Sequence, residues 1–172
     1  MERCINRGLV FLGLCLGVLP FSYGSNVTPT IADSPAITSL NGTQLASNTF
    51  VYNPKSLKWK AIQNGKVIRT GRGSGGRGYC KDIGRSCRTP SGTYSVLSKG
   101  GSGCRSSRYP VGRGGAPMPY CMFFSKYYAI HGSPDVPNYN ASHGCIRVRP
   151  SDARWLSNNF VNIGTKVVVE PY

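Results

Sequence analysis

Asn64-Gly65 stands between two runs of strand-forming residues, Leu57 to Gln63 and Lys66 to Thr70. An Asn-Gly pair readily supplies the two left-handed residues of a tight turn whose twist matches the strands it joins. The pair therefore specifies an antiparallel hairpin and commits this part of the chain to a sheet. Thr49 to Asn53 is a further short strand upstream. Downstream, Thr89-Pro90-Ser91-Gly92 is a turn feeding a strand at Thr93 to Val96, because Pro and Gly provide the backbone angles of a reversal. Met122 to Ile130 has the aromatic and β-branched character of another strand, which delivers His131 at its end. Ile163-Gly164-Thr165 turns into a last strand, Lys166 to Glu170, whose valine run predicts burial on both faces. A single short helix is expected from Pro150, with Ser151 as N-cap, Asp152 at the positive end of the dipole, and Trp155 and Leu156 facing the sheet. The chain reads as mainly β.

Two glycine-rich stretches interrupt these strands. Gly71 to Gly78 contains glycines at the spacing of a dinucleotide-binding turn, but Tyr79-Cys80-Lys81-Asp82 follows where a helix is required. The same run is shorter than the arginine-glycine tails that bind RNA, and it leads into paired cysteines and a turn. A loop between strands is the expectation. Residues 99 to 119 are again rich in Gly, Pro, Ser and Arg, a loop of functional or mobile character at that length.

The first 24 residues carry Arg3 and Arg7, an apolar run from Gly8 to Leu19, and small residues at Ser22 and Gly24. That is the pattern of a cleaved secretory signal, and the apolar run is short for a membrane span. Residues 25 to 48, mostly Ser, Thr, Asn, Pro, Ala and Gly, bury too little to offset their ordering entropy and are expected to form a linker or loose arm. One domain, residues 49 to 172, remains. The whole chain has a net charge of +15. Removing Glu2, Arg3 and Arg7 with the signal leaves +14, so the exported domain favours anionic partners.

Cys4 and Cys15 leave with the signal, and Cys80, Cys87, Cys104, Cys121 and Cys145 stay. Five cysteines in an oxidising compartment read as two disulfides and one free thiol, the free one at Cys145. The shortest loops pair Cys80 with Cys87 and Cys104 with Cys121.

The chain's only two histidines, His131 and His143, lie close in sequence to Cys145. Histidine is the side chain most easily poised near neutral pH, and cysteine is a strong nucleophile once held as thiolate. If Ser142-His143-Gly144-Cys145 is extended, His143 and Cys145 point to one side of the backbone, and Gly144 lets a substrate approach the main chain.

Ile130-His131-Gly132-Ser133 followed by Ser142-His143-Gly144-Cys145-Ile146-Arg147 resembles the L,D-transpeptidase catalytic domain of bacterial cell-wall enzymes, the YkuD-like family. Gln63-Asn64-Gly65-Lys66-Val67, Thr89-Pro90-Ser91-Gly92-Thr93-Tyr94, Met118-Pro119-Tyr120 and Gly164-Thr165-Lys166-Val167-Val168-Val169 fall in the family's order. The spacer between His131 and Ser142 is ten residues, short for the family, and the arginine-glycine run with its extra cysteines has the look of an insertion. The resemblance implies a β-sandwich or barrel with one short helix after the catalytic motif.

It also implies chemistry. Cys145 is the nucleophile that forms a thioester, and His131, rather than the adjacent His143, is the proton carrier. Backbone amides near Gly144 and Cys145 hold the oxyanion, with Ser142, Gly132 and Ser133 shaping the site and His143 orienting or lining it. Arg147 binds a substrate carboxylate or faces solvent as a strand arginine. The substrate is a peptidoglycan stem peptide on an anionic wall surface, with no cofactor, no metal and no nucleic acid, and the enzyme is a monomer of the bacterial periplasm or wall. Transfer to a diaminopimelate amine forms a cross-link; transfer to water makes an L,D-carboxypeptidase.

Rival readings use the same residues. A structural zinc site of His131, His143, Cys145 and another cysteine lacks the usual paired ligand spacing. A non-catalytic binding protein of the wall or host surface leaves the Cys and His without a task. A eukaryotic secreted glycoprotein conflicts with Asn140-Ala141-Ser142, a sequon that would set a sugar against the motif.

Overall fold

Asn64 and Gly65 both adopt positive φ, 50° and 78°, and join β2 (Lys58–Gln63) to β3 (Lys66–Ser74) with Gln63 opposite Lys66. This is the hairpin that the Asn-Gly pair specifies. The computed structural model describes residues 47–109 and 115–172. The export signal and residues 25–46 of the expected arm lie outside the described residues. Asn48, expected at the end of that arm, already belongs to β1 (Asn48–Asn53), which pairs antiparallel with β2.

The remaining elements are β4 (Gly92–Ser95), β5 (Ser98–Lys99), β6 (Met122–Phe123), β7 (Ala129–Gly132), β8 (Ile146–Val148), α1 (Pro150–Trp155) and β9 (Lys166–Val169). They build one nine-stranded sheet in the order β4-β9-β1-β2-β3-β8-β7-β6-β5. The sheet curls into a half-barrel around its core. Strand alternation fills that core: Phe50 and Tyr52 of β1, Trp59 and Ala61 of β2, Ile146 and Val148 of β8, and Val167 and Val169 of β9 are all buried. Each large side chain so buried contributes roughly 1.5–3 kcal/mol. Val168 is only half-buried, so β9 has one core face rather than the two its valine run predicts.

Three further expectations change. The first half of the arginine-glycine run is not a loop: Gly71 to Ser74 prolongs β3, and Gly73 and Ser74 pair with β8. Glycine is required there by close packing, since a Cβ on Gly71 would lie 2.6 Å from the Trp59 ring and one on Gly73 would lie 2.9 Å from Tyr52. The expected strand Met122 to Ile130 is two strands, β6 and β7, joined by a turn in which Ser125 Oγ accepts the Tyr127 and Tyr128 amides. The serine hydroxyl substitutes for ladder bonds, and the surrounding aromatics hide that turn from a composition-based reading.

The helix begins two residues earlier than a Ser151 cap requires. Pro150 occupies the first helical turn with Arg149 at the N-cap position and no side-chain cap, because proline's fixed φ and missing N–H suit that place. Asp152 lies in the first turn as expected and is also bonded to Arg69 of β3 at 2.9 Å, and the Arg69 guanidinium lies 4.6 Å from the Trp155 ring centre. The helix runs into a wider π-helical turn, Leu156–Phe160, and the carbonyls of Ser157 within it and of Val161 just after it accept from Lys99 Nζ. Leu156 and Phe160 are buried against the sheet.

Candidate active site

β7 and β8 are parallel neighbours, with Ile130 opposite Ile146 and His131 opposite Arg147. Ile130, Ile146 and Val148 point into the core, so alternation turns His131 and Arg147 to the other face. Cys145, the residue just before β8, falls on the same side as Arg147. His131, Ser133, Ser142, His143, Cys145 and Arg147 all line one cavity of about 550 Å³. The parallel pairing brings a histidine and a cysteine fourteen positions apart to one wall.

His131 is only 6% exposed. Its Nδ1 lies 2.9 Å from the Gly132 carbonyl oxygen. A carbonyl only accepts, so Nδ1 carries the hydrogen and Nε2 of the neutral ring keeps its lone pair. Burial pushes the imidazole pKa down to about 4, with the positive charge of Arg147 acting in the same direction. Around Cys145, burial pushes the thiol up, opposed by the Ala129 amide and by Arg147. The sulfur also sits 4.0 Å from the Tyr127 carbonyl, a further reason for it to keep its proton. At neutral pH the site rests as a thiol and a neutral imidazole.

Ser142 forms a lone bridge with Gly76, and His143 to Cys145 is a bend, not the extended strand that would align His143 with Cys145. Ser142 Oγ donates to the Cys145 carbonyl at 2.5 Å and accepts the Gly144 amide at 2.9 Å, closing the segment on itself. The Gly144 amide, expected near an oxyanion, is thus engaged by Ser142. Gly144 has φ +125°, and a Cβ there would lie 2.3 Å from the Tyr128 ring. The space beside Gly144 belongs to Tyr128 rather than to an approaching substrate. Thr89, fully buried, donates from Oγ1 to the Gly144 carbonyl at 2.8 Å and accepts the Gly76 amide at 3.0 Å.

His143 turns away to the rim. Its Nε2 lies 2.7 Å from Asp82 Oδ2, and its ring stacks on Tyr109 with centroids 4.4 Å apart. The hydrogen bond from His143 holds the Asp82 carboxyl below its ordinary range. Asp82 lies within a loop closed by the Cys80–Cys87 disulfide, and Tyr109 within one closed by Cys104–Cys121. Cys145 is the one unpaired cysteine among the described residues. Ligand atoms of Cys80, Cys87 and His143 gather within 4.8 Å, but the two sulfurs are bonded to each other and are not available as thiolate ligands.

Arg147 is paired with Asp135 at 2.7 Å across the cavity edge, so it is neither free in solvent nor open to a ligand without exchange. Ser133 holds that aspartate's backbone, its Oγ accepting the Asp135 amide at 3.1 Å. Gly132 allows close packing: a Cβ there would lie 3.1 Å from Pro119 and 3.2 Å from Ala153 of α1. Asp82, Tyr109, Tyr128 and Asp135 are site residues that the sequence pattern did not single out. Their positions depend on loop closure, and the cysteines flanking Asp82 and Tyr109 were the only local signal.

Compared with family models, residues 48–169 match the YkuD L,D-transpeptidase catalytic domain. The chain belongs to this family. Among solved structures it is similar to the L,D-transpeptidase of Xylanimonas cellulosilytica, at 28% identity and TM-score 0.62, with 72% of this chain and 60% of that one covered. L,D-transpeptidase 3 of Mycobacterium tuberculosis, in complex with a faropenem-derived adduct, is 24% identical with TM-score 0.61, covering 73% and 61%. An L,D-transpeptidase from Mycobacterium smegmatis is 20% identical with TM-score 0.62, covering 73% and 59%. The chain thus spans less than two thirds of the length of these L,D-transpeptidases. Comparison with curated proteins gives no match.

Proposed function

We propose that this chain is an exported cysteine L,D-transpeptidase acting on peptidoglycan stem peptides in the bacterial periplasm or wall, with residues 1–24 as export signal and 25–46 as a tether. Support comes from family membership, from the Arg3 to Gly24 pattern, and above all from one observation: His131 on β7 and Cys145 immediately before the neighbouring parallel β8 line the same cavity.

The resting pair is neutral, so the proton moves as the bond forms. Sγ of Cys145 attacks the stem carbonyl carbon while Nε2 of His131 takes the thiol proton. The tetrahedral intermediate then expels the terminal D-alanine amine, which receives that proton, and an acyl thioester remains on Cys145. A diaminopimelate side-chain amine attacks the thioester, gives its proton to His131, and releases the sulfur, which takes the proton back. The Cys145 backbone amide is the donor proposed for the oxyanion, since the Gly144 amide is turned to Ser142 Oγ. Keeping the proton on sulfur until substrate arrives limits reaction of the thiol with other electrophiles.

The test is incubation of the mature protein with purified tetrapeptide muropeptides and reading of products by mass. Dimers linked through two third-position residues are the expected result, and Cys145→Ala should abolish them. Shortened monomers alone would make it a carboxypeptidase, and no reaction with an intact thiol would sink both activities. Faropenem provides a second reading, since a relative carries an adduct derived from it. A covalent mass increase on wild type and none on Cys145→Ala is expected.

A further inference from the structure

The cavity that Cys145 lines is also lined by Arg85, Arg108, Lys126 and Arg147, against a single carboxylate, Asp135. That carboxylate is already paired with Arg147. Among the described residues, no ion pair involves Arg85, Arg108 or Lys126. The three come from separate elements. Arg85 sits inside the Cys80–Cys87 loop, where its carbonyl accepts the Cys80 amide at 2.9 Å. Arg108 sits inside the Cys104–Cys121 loop, its amide bonded to Ser106 Oγ at 3.1 Å. Lys126 lies in the turn between β6 and β7. Tyr127 gathers two of them: Arg108 Cζ lies 4.5 Å and Lys126 Nζ 5.3 Å from its ring centre. The carbonyl of that same tyrosine is 4.0 Å from the Cys145 sulfur.

Three cations held by cross-linked or hydrogen-bonded loops around one cavity repel each other, and the nearby carboxylates, Asp135 and Asp82, are engaged by Arg147 and His143 instead. Such an arrangement concentrates anions where the low-dielectric walls focus its field. We propose that Arg85, Arg108 and Lys126 form a carboxylate-recognition wall, by which the enzyme selects stem peptides with free carboxylates over those whose carboxyls are amidated. The proposal rests on the transpeptidase reading for its substrate, but the wall itself can be tested without it. Arginine suits this role because its fork can take a carboxylate in two parallel hydrogen bonds, and lysine adds a mobile point charge. The two disulfides then serve specificity, since they fix the loops that carry the arginines.

Two measurements on the mature, disulfide-intact protein test it. In the first, Cys145 is alkylated with iodoacetate, which is anionic, and with iodoacetamide, its neutral analogue. The ratio of the two rates should fall by about ten-fold in Arg85→Gln/Arg108→Gln/Lys126→Gln. An unchanged ratio would overturn the wall. In the second, free-carboxylate and amidated tetrapeptide stems compete. Wild type should prefer the free form by about ten-fold, and the triple variant should lose that preference. Equal turnover of the two stems by wild type would overturn the selection. If neither stem reacts, the transpeptidase reading fails, while the alkylation ratio still decides whether the wall attracts carboxylates.

Discussion

Nε2 of His143 is held 2.7 Å from Asp82 Oδ2, at the end of a loop closed by a disulfide, and so the histidine adjacent in sequence to the cysteine is committed to the rim. His131, fourteen residues before Cys145 where His143 is two, lines the cavity with its Nδ1 directed at the Gly132 carbonyl. The two histidines should therefore respond differently. His131→Ala is expected to lower kcat by about 10²–10⁴-fold, the usual contribution of a general base. His143→Ala should cost less than about ten-fold and appear mainly in KM, because it loosens the rim and leaves His131, the proposed proton carrier, in place. Steady-state kinetics on tetrapeptide stems check this, and a larger loss at His143 would reverse the two roles.

The pH dependence follows from burial of His131. Its folded pKa of about 4 lies below the ordinary 6.5, so in the unfolded chain the ring binds a proton first as pH falls. Stability from the buried neutral ring is complete above pH 6.5 and is lost as pH drops from there toward 4. The loss reaches about 3 kcal/mol for a shift of this size. Urea melts between pH 7 and 4 should show this slope in wild type and a flatter one in His131→Gln. Activity should also persist below pH 6, where an ordinary histidine base would be protonated, and a half-loss near 6.5 would contradict the buried neutral base.

Gly144 combines a left-handed φ of +125° with a Tyr128 ring 2.3 Å from any added Cβ. Gly144→Ala should therefore destabilise the fold by about 2–4 kcal/mol, from backbone strain and overpacking together. Denaturant unfolding measures it. Shrinking the ring with Tyr128→Ala in the same chain should recover only part of the loss, since the backbone strain stays. Full recovery would mean that packing alone fixes the glycine.

The two disulfides close loops of different length, with sequence separations of 7 and 17. On loop entropy, replacing Cys104 and Cys121 by serine should cost about 3 kcal/mol and replacing Cys80 and Cys87 somewhat less, about 2 kcal/mol. The shorter loop carries Asp82, so its loss should also broaden the His143 ring resonances in NMR spectra. Equal stability costs, or unaltered resonances, would show that the loops are held by other contacts.

The sequence by itself determined the local geometry and the chemistry available. Asn64-Gly65 dictated a hairpin because few other pairs adopt its two positive φ angles, and the Ser142 to Arg147 motif with the upstream His131 carried the resemblance to the family. Where a turn was written in a serine hydroxyl, as at Ser125, or where glycine served packing under Trp59 rather than chain reversal, local pattern misled. Only the tertiary structure decided which histidine is buried in the cavity wall and which is tied to its rim, because that depends on parallel pairing of β7 with β8 and on a loop bond between Asp82 and His143. Neither is a local preference: strand pairing and side-chain partners between distant segments are set by the free energy of the whole packed chain, and one sequence window does not contain it.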